Sequence, residues 1–139
     1  MAQITLEKLG HSYLETPVNE EDWALKELDI DWEDGGAYAL LGPSGCGKTT
    51  LLNIISGLLV PSQGRILFDG QDVTTQTPEE RHIAQVFQFP VVYDTMTVYD
   101  NLAFPLRNRK VSEDEIAKRV GEVAEMTDLS GMLTKRASG

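Results

Sequence analysis

The strongest constraint on the fold is a glycine-rich segment, residues 42–49, with the spacing G-x-x-x-x-G-K-T. Its residues are Gly42, Pro43, Ser44, Gly45, Cys46, Gly47, Lys48 and Thr49. Glycines let the backbone curl so that its N–H groups converge on an anion, and a following helix adds its positive N-terminal end. The sequence therefore predicts a phosphate-binding loop, with Lys48 on the β- and γ-phosphates, Thr49 on Mg²⁺ and Thr50 near the α-phosphate.

The segments around this loop alternate between strand and helix patterns. Period-two alternation and short apolar runs indicate strands. These strands are predicted over residues 3–9, 23–32, 37–41, 65–68 and 83–87. Residues 48–59 place apolar side chains on one face, which predicts a helix directly after the loop.

The second part of the chain has a different texture. Helices are predicted over residues 98–106, 112–127 and 129–135, and Ser112 with Glu115 has the spacing of a capping box. We therefore predict an α/β fold with two parts. Residues 1–88 would hold an antiparallel β portion with the strand and helix of the phosphate-binding loop, and residues 89–139 would begin a helical subdomain.

Composition excludes several functional classes. The formal net charge of −10 argues against broad affinity for nucleic acid or anionic lipid. No apolar run reaches the roughly 20 residues that a membrane-spanning helix needs. Cys46 is the single cysteine, so an internal disulfide is excluded. A catalytic thiol there would need a base, and His11 and His82 are the candidates.

Residues 42–52, with Thr50 after the phosphate loop, resemble the Walker A segment of ATP-binding cassette (ABC) ATPases, and other motifs agree with this resemblance. Val86-Phe87-Gln88 is similar to the family's Q-loop, and Tyr13 precedes the loop at about the distance of its A-loop aromatic. Residues 57–66 resemble the family's link out of the first helix. Residues 95–102 most resemble importers of sugars and related polyols.

The resemblance implies a P-loop NTPase of the ABC type that binds ATP and Mg²⁺ and works in pairs, as a homo- or heterodimer, at the cytoplasmic face of the inner membrane. Tyr13 would stack on adenine, and Gln88 would touch Mg²⁺ or the attacking water. The stretch Phe89 to Asp100 would contact transmembrane permease subunits. Each role has a plainer alternative. Tyr13 could be an ordinary packed tyrosine, and Gln88 a polar residue at the end of a strand. The apolar side chains between Phe89 and Asp100 could be buried within the helical part.

The family's pattern continues with a signature loop, a Walker B strand, a catalytic Glu and a switch His. None of these is found in the sequence, and residues 136–139 fall about where the signature loop would begin. The expectation is an incomplete, N-terminal fragment that binds nucleotide weakly or not at all and does not turn it over.

Two other functions remain open from the sequence. One is a different P-loop enzyme, a kinase or a GTPase. The sequence has no N-K-x-D element for reading guanine, and Arg107 with Arg109 is a thin candidate for a kinase lid. The other is a module that only binds a nucleotide or a partner.

Overall fold

A computed structural model of the chain describes residues 2–138. The chain divides between Val86 and Phe87 into two compact units, whereas the sequence patterns predict the boundary after residue 88. Gly139, the last residue of the predicted start of the signature loop, lies outside the described residues. Within residues 2–138, every helix is too short or too polar to span a bilayer.

The first unit contains a four-stranded antiparallel sheet with the strand order β2-β1-β3-β4. The strands are β1 (Ile4–His11), β2 (Leu25–Trp32), β3 (Gln63–Phe68) and β4 (Gln71–Asp72). The sheet confirms the predicted antiparallel β portion. Two helices accompany it, α1 (Lys48–Ser56) and α2 (Pro78–Arg81).

A bulge in β1 brings two leucines to the same side of the sheet. Leu6 and Leu9 are an odd number of residues apart, so regular alternation would point them to opposite faces. The register shifts between them, and Lys8 takes a φ of 47°. Asp29 accepts a hydrogen bond from the Lys8 N–H at 2.9 Å. Both leucines are consequently buried.

Helix α1 packs its apolar face on this sheet. The core side chains that it shares with the strands are Leu6, Leu9, Leu25, Leu51, Ile54, Ile55, Ile66 and Val73. Gly57 ends the helix in a left-handed conformation, with φ of 92°. This left-handed glycine is a common way for a helix to end, and the Gly57 N–H donates to the carbonyls of Asn53 and Ile54.

The strands predicted over residues 37–41 and 83–87 are wrong. Both segments lack regular secondary structure and form no ladder with any part of residues 2–138. Leu41 and Val86 are 93% and 98% exposed. An apolar run becomes a buried strand only where neighbouring strands satisfy its N–H and C=O groups. Tyr38 instead stacks on Trp32, with 5.4 Å between ring centroids.

The second unit is helical, with α3 (Val98–Asn108), α4 (Glu113–Met126) and a 3₁₀ turn at Ser130–Met132. Ser112 caps α4 by accepting a hydrogen bond from the Glu115 N–H. The two helices bury Ala103, Ile116 and Val120 between them. The helices predicted in this part are thus confirmed, except that the last one is a single 3₁₀ turn.

Residues 133–137 return to the start of α3. The Val98 N–H donates to the Lys135 carbonyl at 2.8 Å, and the Tyr99 N–H donates to the Leu133 carbonyl at 2.9 Å. The first N–H groups of a helix have no partner within it, so these bonds satisfy two of them. Residues 133–135 are thereby fixed to the first turn of α3.

Candidate functional site

The glycine-rich loop has backbone conformations that only glycine adopts without strain. Gly45 and Gly47 have φ of 82° and 92°. A Cβ on Gly47 would lie 2.5 Å from the carbonyl oxygen of Ala24, the residue before β2. The positive φ of Gly47 and its closeness to Ala24 therefore both require glycine at the N-cap of α1.

Lys48, the first residue of α1, folds back over the loop. Its Nζ donates to the Gly42 carbonyl and, at 3.2 Å, to the Pro43 carbonyl. The Cys46 N–H also donates to the Pro43 carbonyl at 3.4 Å. The loop is therefore a closed turn with an ammonium group held against it, which is the charge that a phosphate requires.

The N-terminal end of α1 has the electrostatics of an anion site. Its first turn carries no acidic side chain, although the whole chain has a net charge of −10. Helix α4 provides the contrast, because Glu113, Asp114 and Glu115 fill its first turn. A carboxylate at this end of α1 would neutralise the positive helix end and repel a phosphate.

The two threonines of α1 differ in their surroundings. Thr49 is exposed, so its hydroxyl is accessible to a ligand. Thr50 is buried, and its Oγ1 lies 3.2 Å from the Tyr13 hydroxyl oxygen. This hydrogen bond places Tyr13, which is 66% exposed, beside the first turn of α1. The side chain expected to stack on a base and the phosphate loop thus lie next to each other.

His11 packs against Tyr13, and Ser62 holds His11 in place. The Ser62 N–H donates to Nδ1 of His11 at 3.1 Å, and the Ser12 N–H donates to Oγ of Ser62 at 2.9 Å. The His11 ring meets the Tyr13 ring edge to face, with 4.6 Å between centroids. Burial lowers the pKa of the His11 imidazole, so the neutral form is favoured.

The C-terminal end of α1 is held by Arg81. Its guanidinium is buried and donates to the carbonyls of Ile54 and Ile55 in α1, and to those of Thr74 and Gln76. Arg81 is not among the predicted site residues, and His11 is predicted only as a candidate base for a Cys46 thiol. Their partners lie 51 and 27 residues away in sequence, and no local pattern reports such a contact.

Gln88 lies at an exposed bend in the second unit, after the irregular segment 83–87. Its role as a Mg²⁺ contact stays a prediction.

The exposed cysteine Cys46 sits within the loop, and a Cβ on Gly42 would lie 2.6 Å from its Sγ. This closeness indicates that Cys46 packs against the loop backbone.

Most of the large apolar side chains predicted to meet a partner are exposed. These residues are Phe89, Val91, Val92 and Tyr93, which are between 52% and 75% exposed. Met96 is half-buried. Asn101 of α3 holds the segment in place, because its side chain accepts from the Tyr93 N–H and donates to the carbonyls of Tyr93 and Thr97.

Comparisons with known proteins agree with this arrangement. The family model described as ABC transporter matches residues 25–139. A trehalose/maltose import ATP-binding protein of Thermococcus litoralis is 46% identical over 119 residues, which cover 81% of this chain and 32% of the relative. A trehalose import ATP-binding protein of Mycobacterium tuberculosis is 40% identical over 138 residues, covering 99% of the chain and 34% of the relative.

A sulfate/thiosulfate import ATP-binding protein of Thermosynechococcus vestitus is 48% identical over 109 residues, covering 78% of the chain and 32% of the relative. The chain thus spans about a third of the length of the curated relatives that it matches.

Solved structures show the same fold. A dimeric ATP-binding cassette in a post-hydrolysis state, bound to ADP and Pi, is 27% identical and superposes with a TM-score of 0.78 over 96% of this chain and 61% of its own. A nucleotide-free cassette from an ABC transporter superposes with a TM-score of 0.73 at 27% identity, over 99% and 58% of the two chains. The sheet, the P-loop with its helix and the matched residues together place this chain in the ABC transporter ATP-binding family.

Proposed function

We propose that the chain binds ATP at residues 42–50 and forms part of the energy-coupling subunit of an ABC importer. One observation carries the proposal. The positive-φ turn at Gly45 and Gly47 leads into a helix start without carboxylates, and the Thr50 hydroxyl holds Tyr13 beside that same turn. A phosphate cradle and an aromatic surface for a base are thereby within the reach of one nucleotide.

Each part of the nucleotide has a partner in this arrangement. The backbone N–H groups of the loop and the Lys48 ammonium would hold the phosphates. The exposed ring of Tyr13 would stack on the base, which has a flat face for it. The family's cassettes include one bound to ADP and Pi, which supports this assignment.

Mg²⁺ is part of the proposal because it prefers oxygen ligands and accompanies nucleotide phosphates. The exposed Thr49 hydroxyl fits one such ligand position. Gln88 would supply a second oxygen through its carboxamide. When bound, the ion would neutralise phosphate charge beside the loop.

Calorimetry with ATP and Mg²⁺ tests nucleotide binding directly. We expect weak but measurable binding by the 139-residue chain and its loss in Lys48→Ala. Lys118→Ala, which removes an exposed lysine of α4, is the matched control and should bind like the unchanged chain. Equal binding by all three proteins would rule out the loop as the site. The chain itself is expected to bind without steady turnover, which a phosphate-release assay on the same samples measures.

The exposed apolar segment, residues 89–96, supports contact with permease subunits at the cytoplasmic face of the inner membrane. Four large apolar side chains face solvent there, and such patches commonly mark interaction surfaces. A photo-crosslinking residue at Val91 of the full-length protein should capture a membrane subunit, whereas one at the exposed Glu122 of α4 should not. The dimeric solved cassette supports pairing with a second ATPase subunit.

A sugar or polyol is the proposed cargo. Two of the relatives import trehalose or trehalose and maltose, and residues 95–102 resemble this group. The sulfate/thiosulfate relative has a similar identity, so the cargo needs a direct test. In proteoliposomes with the full-length subunits, sugars should stimulate ATP hydrolysis, and stimulation by sulfate alone would assign the protein to the other group.

The geometry does not favour a kinase. Arg107 is paired with Asp100 at 3.0 Å and with Glu113 at 3.0 Å, so it connects α3 to the start of α4. A lid arginine has to be available to a transferring phosphate. The kinase hypothesis uses both Arg107 and Arg109 as lid residues. Because Arg107 is engaged in these two ion pairs, it is not available for that role.

A further inference from the structure

His11 closes β1 and is held in one orientation. Its Nδ1 accepts a hydrogen bond from the Ser62 N–H at 3.1 Å. A neutral imidazole has one protonated nitrogen, so the proton must then sit on Nε2. Ser62 makes two bonds here, one from its N–H to the His11 ring and one from the Ser12 N–H to its hydroxyl oxygen, and together they fix the ring and the strand end that leads to Tyr13.

The Nε2 of His11 is buried and has no nitrogen or oxygen partner among the residues that the structure describes. Buried donors of this kind are rare, because losing a hydrogen bond to water costs free energy. The His11 ring as a whole packs edge to face with the Tyr13 ring, at 4.6 Å between centroids and 82° between planes. An N–H facing an aromatic ring makes a weak but favourable contact.

Tyr13 is otherwise free to turn. Its side chain is 66% exposed, and its hydroxyl bonds to Thr50 at the far end. The hydroxyl bond fixes the tip of the side chain, but it leaves rotation of the ring about the bond between the Cβ and the ring. The contact with His11 acts on the ring itself, so the two contacts together define the plane of Tyr13.

We infer that His11 is a positioning residue for the nucleobase, with its Nε2–H holding the Tyr13 ring in the plane on which the base stacks. This inference rests on the proposed function, in which Tyr13 receives the base. A ring that is already oriented loses less conformational entropy when the base arrives, which raises the affinity. We expect the effect to concern the base, because the ring contact of His11 is with Tyr13, which would stack on the base.

Substitution of His11 by asparagine or by glutamine distinguishes the roles of its two ring nitrogens. His11→Asn places an acceptor near the position of Nδ1 and keeps the bond from Ser62, but it removes the Nε2–H donor that the inference assigns to Tyr13. His11→Gln reaches further and restores an N–H near the position of Nε2. A purely structural role at β1 would be served by the first variant, whereas the positioning role would be served by the second.

The measurement compares ATP with inorganic triphosphate, which has the phosphates but no base. Calorimetry on the 139-residue chain should show that His11→Asn weakens ATP binding about three-fold, the size of one weak aromatic contact, and leaves triphosphate binding unchanged. His11→Gln should recover most of the ATP affinity. In a Tyr13→Ala background, His11→Asn should have no further effect on ATP.

An equal loss for ATP and triphosphate would overturn the inference, and so would an unchanged ATP affinity in His11→Asn. Failure of the unchanged chain to bind either ligand would overturn the proposed function, which is a distinct result. If the His11 variants do not fold, nuclear magnetic resonance on the unchanged chain and on Tyr13→Ala decides. The His11 Nε2–H proton should be shielded by the ring and should move downfield in Tyr13→Ala, and an unmoved signal would contradict the contact.

Discussion

The Nη1 of Arg81 lies 2.7 Å from the carbonyl oxygen of Ile54, in the last turn of α1. The same nitrogen is 2.9 Å from the Ile55 carbonyl, and the side chain is only 6% exposed. The last carbonyls of a helix have no partner within it, and a cation there also interacts favourably with the partial negative charge at the C-terminal end of the helix. Arg81 thus anchors the end of α1 that is opposite the phosphate loop.

Replacing Arg81 by methionine should destabilise the first unit by about 3 kcal/mol, because four carbonyls lose a charged donor inside the protein. The stability of Arg81→Lys should lie between those of the unchanged chain and the methionine variant, since an ammonium reaches fewer of the four carbonyls. Both tryptophans, Trp23 and Trp32, lie in this unit, so urea unfolding followed by tryptophan fluorescence measures its stability. Arg109→Met, at an exposed position, is the control and should change little. Equal losses in the two methionine variants would contradict the anchoring role.

Gly57→Ala and Gly121→Ala should act in opposite directions. A Cβ on Gly57 would lie 2.9 Å from the Gln76 carbonyl oxygen, and the φ of 92° is strained for alanine. We expect a loss of more than about 1 kcal/mol. A Cβ on Gly121 meets nothing within 4 Å in the middle of α4, so alanine should stabilise that helix by up to about 1 kcal/mol. Thermal unfolding followed by circular dichroism checks both signs.

Gly47→Ala should damage the loop more than Gly45→Ala. Both residues have positive φ, but a Cβ on Gly47 meets the Ala24 carbonyl oxygen at 2.5 Å, whereas one on Gly45 has open space. The first variant therefore combines strain with a clash, and we expect it to lose both stability and ATP binding. The second should keep most of its stability. Fluorescence unfolding and calorimetry on the same samples measure the two effects, and a reversed order would contradict the loop geometry.

Acid should destabilise the first unit partly through His11. Burial lowers its pKa below the ordinary value of 6.5, so the unfolded chain takes up a proton first as the pH falls. The contribution of this group is complete above pH 6.5 and is lost as the pH falls from 6.5 toward the folded-state pKa. His11→Asn should lose less stability than the unchanged chain over the same interval, measured by urea unfolding at each pH. Parallel losses in the two proteins would show that His11 does not titrate in this way.

The parts of the fold that depend on local pattern are predictable from the sequence. The phosphate loop, the helix after it and the antiparallel strands follow from spacing and periodicity, because each pattern spans fewer than twenty residues. The segments 37–41 and 83–87 show the opposite case. Their apolar character indicates burial, but a ladder also needs a neighbour, and none pairs with them within residues 2–138.

The candidate site divides in the same way. Lys48 and Thr49 are identified by their position in a contiguous motif. The contact between His11 and Ser62 joins residues 51 apart, and it arises only when β1 lies beside β3. The bulge at Lys8 is equally hidden, since it depends on the Asp29 carboxylate of a neighbouring strand. Tertiary contacts of this kind leave no periodic trace in the sequence.

The bonds from Lys48 to the carbonyls of Gly42 and Pro43 have a thermodynamic consequence for any ligand. An incoming phosphate does not meet an unengaged ammonium; it replaces two partners that the ammonium already has. Binding is therefore an exchange reaction, and its enthalpy is the difference between two sets of bonds rather than the sum of the new ones. The two bonds from Lys48 stabilise the shape of the loop before the ligand arrives. Breaking them offsets part of the energy that the lysine gains from the phosphate.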